Sequence, residues 1–206
     1  GFAPNLRTNE EVIEHIIQAV EISGMRYGED IHLGLDCAAT EFFQDGTYVL
    51  KGENKQLSSL EMIDYLKDLI NKFQIISVED PLDENDWDSW AKITAECPNT
   101  QIVGDDIFVT QSKLLDRGIK ENAGNAILVK LNQVGSLSET MEAINLAQNN
   151  NFSTVISHRS GETEDSFISD LSVAVNAKQI KTGAPARSDR TAKYNRLLII
   201  NSELYP

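Results

Sequence analysis

Ala126-Ile127-Leu128-Val129-Lys130 is a run of four apolar residues closed by a single base. A continuous apolar run this short suits a strand covered on both faces of a parallel sheet. Runs of the same kind recur on either side. Upstream, Ile31-His32-Leu33-Gly34-Leu35-Asp36, Gln74-Ile75-Ile76-Ser77-Val78-Glu79 and Gln101-Ile102-Val103-Gly104-Asp105 each end on an acid. Downstream, Ser153-Thr154-Val155-Ile156-Ser157-His158 ends on an imidazole and Gln179-Ile180-Lys181 on an ammonium.

Helical patterns separate these runs. Thr8 to Ile22 carries Val12, Ile13, Ile16, Ile17 and Val20 on one face, with Thr8 and Glu11 read as a capping box and Gly24 as a stop. Ser58 with Glu61 opens a second helix, in which Met62, Leu66, Leu69 and Phe73 recur at helical spacing. Ser136 with Glu139 opens another, and 86–95, 112–120, 164–175 and 188–199 read as helices too. A hairpin is expected around Asp45-Gly46, between Phe42 and Leu50, and a frayed tail over 201–206. Six βα units in a row fit a doubly wound sheet or part of a (β/α)8 barrel. No G-x-G-x-x-G and no G-x-x-x-x-G-K-[ST] follows any strand, so an open nucleotide-binding sheet has no support. The barrel is favoured because it would gather the polar strand ends at one mouth.

The 206 residues are 41% hydrophobic and 24% charged, with a formal charge of −14, which is the composition of a globular chain. That charge argues against binding nucleic-acid phosphates, and no apolar run approaches a membrane span. No basic, apolar leader precedes the first helix, so no secretion signal is visible. Cys37 and Cys97 match neither a zinc spacing nor a disulfide framework and read as two reduced thiols. His15 and His32 read as packing residues, Asp83–Asp88 as a solvated loop and helix cap, and Trp87 and Trp90 as anchors of the helix that follows.

The strand ends carry the chemistry. Each of Asp36, Glu79 and Asp105 taken alone reads as a helix cap, but three in register would repel one another without a cation. An oxygen-only set suits magnesium or manganese better than zinc. Asp80 and Asp106 should point away by alternation and serve as capping or outer groups. Lys130 reads equally as a general base and as a structural lysine paired with a carboxylate. Ser157-His158-Arg159-Ser160-Gly161-Glu162-Thr163-Glu164-Asp165, with Lys181 beside it, gathers donors for an oxyanion or phosphate.

Several motifs, in this order, resemble the enolase (phosphopyruvate hydratase) family, its bacterial members most closely, over essentially all 206 residues. They are Gly1-Phe2-Ala3-Pro4-Asn5, Ser77 to Asp83, Val103 to Asp106, Leu128 to Ser136, Ser157 to Asp165, Gln179 to Pro185 and Ala192 to Asn195. The resemblance implies an incomplete TIM-type barrel of the enolase superfamily, six βα units without the first two strands, with 1–206 as part of one C-terminal barrel domain. It implies magnesium-dependent, reversible dehydration of 2-phosphoglycerate to phosphoenolpyruvate, a lyase step of glycolysis. Asp36, Glu79 and Asp105 would hold Mg2+, Asp105 lying against the substrate as well. Lys130 would take the C2 proton. His158, Arg159 and Ser160 would hold the substrate, the last two at its phosphate, with Lys181 at its carboxylate. A homodimer or larger homo-oligomer and a cytoplasmic location are implied, with an additional cell-surface or secreted pool as seen in the family.

In the family, the acid that protonates the departing hydroxyl is a glutamate just before the Gly-Phe-Ala-Pro loop. The expectation is therefore a fragment whose parent is the enzyme and which does not complete the reaction by itself. The alternatives are a non-catalytic interaction surface and another superfamily member, a racemase or cycloisomerase, which Ser157–Asp165 disfavours.

Overall fold

Short strands and capped helices alternate along the chain, as seen in a computed structural model that describes residues 4–206. Gly1, Phe2 and Ala3 of the opening motif lie outside the described residues. The described residues divide into two compact units, 4–107 with Glu121–Gly124, and Phe108–Lys120 with Asn125–Pro206.

In chain order the first unit holds α1 (Asn9–Ile22), β1 (Gly34–Asp36), β2 (Phe43–Gln44), β3 (Thr47–Leu50), β4 (Lys55–Leu57), α2 (Ser59–Phe73), β5 (Ser77–Glu79), α3 (Trp87–Glu96) and β6 (Gln101–Gly104). β1 pairs in parallel with β5, and β5 with β6. β2, β3 and β4 form a separate antiparallel sheet, which extends the expected hairpin by one strand.

α2 is well specified by its sequence. Ser58 accepts the Glu61 N–H, Glu61 reaches back to the Ser58 N–H, and Met62, Leu66, Leu69 and Phe73 are all buried. At α1 the box is only half made: Thr8 accepts from the Glu11 N–H, but the Glu11 carboxylate takes the Arg7 N–H instead. Only Ile13 of the α1 apolar face is fully buried.

Two strands begin later than their apolar runs suggest. Ile31 is drawn into a turn in which its N–H donates to the Arg26 carbonyl and its carbonyl accepts from Gly28, while Arg26 binds the Asp30 carboxylate. His32 is consequently exposed outside any strand, and His15 is exposed on α1, so neither is a packing residue. Gln74 sits in the left-handed region as the C-cap of α2, which delays β5. The Asp83–Asp88 loop is not simply solvated. Asp83 is buried, its N–H donates to the Tyr48 hydroxyl, and its carbonyl accepts the Trp90 indole N–H. Asp86 caps α3, and both Trp87 and Trp90 are buried.

The second unit holds α4 (Ser112–Glu121), whose last residue belongs to the first unit, then β7 (Ala126–Val129), α5 (Leu131–Val134), α6 (Leu137–Asn149), β8 (Ser153–Ser157), α7 (Phe167–Ala174), β9 (Lys178–Lys181) and α8 (Ser188–Leu204). β7 pairs in parallel with β8, and β8 with β9. Every residue of β7 is buried, as a strand covered on both faces requires. α7 starts at Phe167 rather than 164, because the Thr163 hydroxyl and the Asp165 carboxylate accept the Asp165 and Phe167 N–H groups and hold this stretch in turns. α8 runs on to Leu204 where fraying was expected. No glycine or proline interrupts it, Ile200 is buried, and Arg196 pairs with Asp170 on α7.

The expected class stands: an α/β chain with parallel strands in the (β/α) manner, as in part of a TIM-type barrel. Ser58→Ala removes the side-chain half of the α2 cap and should cost about 1 kcal/mol of unfolding free energy in denaturant melts. Glu61→Gln keeps a reciprocal acceptor and should cost less. An unchanged unfolding free energy in Ser58→Ala would show that the box does not stabilise α2.

Candidate active site

Parallel pairing sets the positions of the strand-end charges. In the first unit Asp36 stands directly opposite Glu79, so both project from the same face of the β1–β5 pair. Glu79 in turn faces Val103, and Asp105 lies two residues beyond Val103 on the same alternation. Glu79 and Asp105 are buried, whereas Asp36 is exposed.

The expected outward turn of Asp80 and Asp106 does not occur. Asp80 has a φ of 43°, which breaks the strand alternation. Its carboxylate then accepts the Asp105 N–H at 2.9 Å and the Asp106 N–H at 3.0 Å. Asp80, Asp105 and Asp106 each offer a carboxylate oxygen within 4.8 Å of the others, a group that does not include Asp36 or Glu79. Burial pushes the Asp80 carboxyl up to about 8; the two N–H donors oppose this and its acidic neighbours reinforce it. Buried carboxylates gathered at strand ends form an all-oxygen donor set suited to a hard divalent cation.

In the second unit Val129 faces Ile156, so Lys130 comes level with Ser157, and Ser157 pairs with Lys181. Lys130 and Lys181 therefore share a face, roughly 10 Å apart across β8 as two strand spacings require. Lys130 is half-buried; its N–H donates to the Thr110 hydroxyl at 3.0 Å, which donates to the Gln133 side chain at 2.5 Å.

His158, Arg159 and Ser160 follow β8 in a loop held from α8. The Arg190 guanidinium reaches His158 and the carbonyls of Arg159 and Ser160. The Lys193 ammonium, 1% exposed, donates to the carbonyls of Thr163 and Asp189, each at 2.6 Å, and pairs with the Glu162 carboxylate at 2.8 Å. Glu162 also accepts the Arg159 N–H at 2.8 Å. The side chains of Arg159 and Ser160 remain exposed. Burial and then the Arg190 charge push His158 below the usual imidazole range.

A model of the family described as "Enolase, C-terminal TIM barrel domain" matches residues 1–205. The chain belongs to the enolase family. A curated enolase from Natranaerobius thermophilus (strain ATCC BAA-1301 / DSM 18059 / JW/NM-WN-LF) is 54% identical over 206 residues, all of this chain and 48% of that protein. The chain thus spans about half the length of the enolase it matches.

Residue-by-residue reading of the enolase motifs missed Arg190 as a support of the loop that carries His158, Arg159 and Ser160. A signal existed in the rhythm of α8: Arg190, Lys193, Leu197 and Ile200 follow the 3-4-3 spacing of an inward face, yet two of the four are basic. Basic side chains at such positions must find buried partners.

The pair of Lys193 and Glu162 generates a pH prediction for the enolase loop. Burial alone would raise Glu162, but Lys193 and the Arg159 N–H outweigh it and hold the carboxyl below its usual range. A depressed acid adds stability above its unfolded pKa and loses it as pH falls through its folded value. Glu162→Gln should therefore destabilise the parent chain by about 3 kcal/mol at pH 7, leaving Lys193 without its counter-charge. The deficit should shrink below about pH 4. Thermal melts across that range check it, and a pH-independent deficit would contradict the ion pair.

Proposed function

We propose that this chain supplies catalytic groups for reversible, magnesium-dependent conversion of 2-phosphoglycerate to phosphoenolpyruvate, the glycolytic lyase reaction of phosphopyruvate hydratase. The observation that carries the reading is the family match over residues 1–205 together with the charged residues that close its parallel strands.

Removing a proton α to a carboxylate leaves charge on a group that is already anionic. Asp36, Glu79 and Asp105 would hold Mg2+ which, when bound, stabilises the ene-diolate charge. The Lys130 amine takes the C2 proton. Arg159 and Ser160 hold the phosphate through a guanidinium fork and a hydroxyl, suited to an oxyanion. Lys181 places a point charge at the substrate carboxylate, and His158 contributes a ring donor. Asp80 secures the backbone at Asp105 and Asp106, which steadies Asp105 as a ligand.

Assembly as a homodimer or larger homo-oligomer, in the cytoplasm, belongs to the same reading. Among the described residues no helix is long and apolar enough to cross a membrane.

In the full-length parent, Lys130→Ala should slow exchange of the substrate C2 proton with deuterated solvent by about 10²–10⁴-fold. Exchange at the wild-type rate would remove Lys130 as the base. Calorimetric titration should show weaker Mg2+ uptake in Asp105→Ala than in wild type, and identical uptake would sink the metal assignment.

A further inference from the structure

The loop that carries His158, Arg159 and Ser160 depends on a side chain outside every strand end. Arg190 is 7% exposed, and its Nη1 lies 2.6 Å from His158 Nδ1. The same Nη1 donates to the Arg159 carbonyl at 2.9 Å, and Nη2 donates to the Ser160 carbonyl at 2.9 Å. One planar cation thus touches three consecutive residues. The arrangement needs Gly183, where a Cβ would come within 2.9 Å of Arg190 Cδ and where φ is +84°.

The chemistry of the pair is one-directional. A guanidinium has N–H donors and no acceptor, so Nδ1 must offer its lone pair and the ring proton resides on Nε2. Protonating Nδ1 would break this hydrogen bond and set two cations against each other. The charged groups facing His158 are Arg190 from α8, Lys181 from β9 and Glu162 from its own loop. Two cations against one carboxylate favour the neutral ring, as does its partial burial.

Building on the dehydration reading above, we infer that Arg190 is a positioning residue of the substrate loop, fixing His158 as the Nε2–H tautomer and holding the backbone at Arg159 and Ser160 in one arrangement for an anionic substrate. Arg190 itself touches no reacting atom. It acts by restricting which His158 nitrogen donates and by presetting the two phosphate-directed residues, a form of preorganisation.

The test uses the full-length enzyme labelled with 15N-histidine. Long-range proton–nitrogen spectra at neutral pH, with His158 assigned by its loss in His158→Asn, should show a proton on Nε2 and none on Nδ1. Arg190→Lys keeps the charge but loses the fork. It should lower kcat/KM for 2-phosphoglycerate by about 10- to 100-fold and shift the His158 ring away from a single tautomer, with cooperative unfolding retained. A wild-type ring protonated on Nδ1 overturns the inference without any variant, even if Arg190→Lys fails to fold. Unchanged kinetics and an unchanged tautomer in a folded Arg190→Lys overturn it as well. Absence of turnover by wild type would remove the dehydration reading, while the tautomer measurement would still uphold or overturn the role of Arg190.

Discussion

Parallel register is the constraint on which the other features rest. Strand side chains alternate with a period of two, so pairing Asp36 with Glu79, or Ser157 with Lys181, commits a whole row of polar groups to one face. A one-residue slip would turn the rows over and put charge where α2 or α6 buries its apolar face. The hydrophobic residues within each strand therefore guard the placement of the charged ones at its end. The fully buried β7 is the clearest case, since its apolar residues leave Lys130 only the strand terminus.

Like charges brought together must be offset locally. In the first unit Asp80 does part of this by leaving the strand conformation and accepting two backbone N–H groups from the segment that carries Asp105. In the second unit α8 turns two basic side chains toward the protein, where they tie down the loop after β8, whose Arg159 and Ser160 side chains stay exposed. Asp80 holds backbone alone, whereas Arg190 holds two backbone carbonyls together with the His158 ring.

The elements most legible in the sequence were those with strong local signals. α2 carries a complete capping box and an unbroken 3.6-residue rhythm, and its core residues are the expected ones. The strand-end residues were legible because a charge closing an apolar run has few other places to go. The β4 strand, Lys55–Leu57, was not legible, since three residues with one apolar side chain carry no periodic signal. The start of α7 and the end of α8 were also misjudged, because side-chain turns at Thr163 and Asp165 and the Arg196–Asp170 pair decided them.

From sequence alone followed the alternation of strands and helices, the residues that close each strand, and through its motifs the likeness to the enolase family. These rest on patterns between near neighbours, where periodicity and residue chemistry act directly. Tertiary structure decided how Asp80 turns back on Asp105 and that Arg190, more than thirty residues from His158, governs its ring. Both depend on the meeting of segments far apart in the chain, and no local propensity encodes such a meeting.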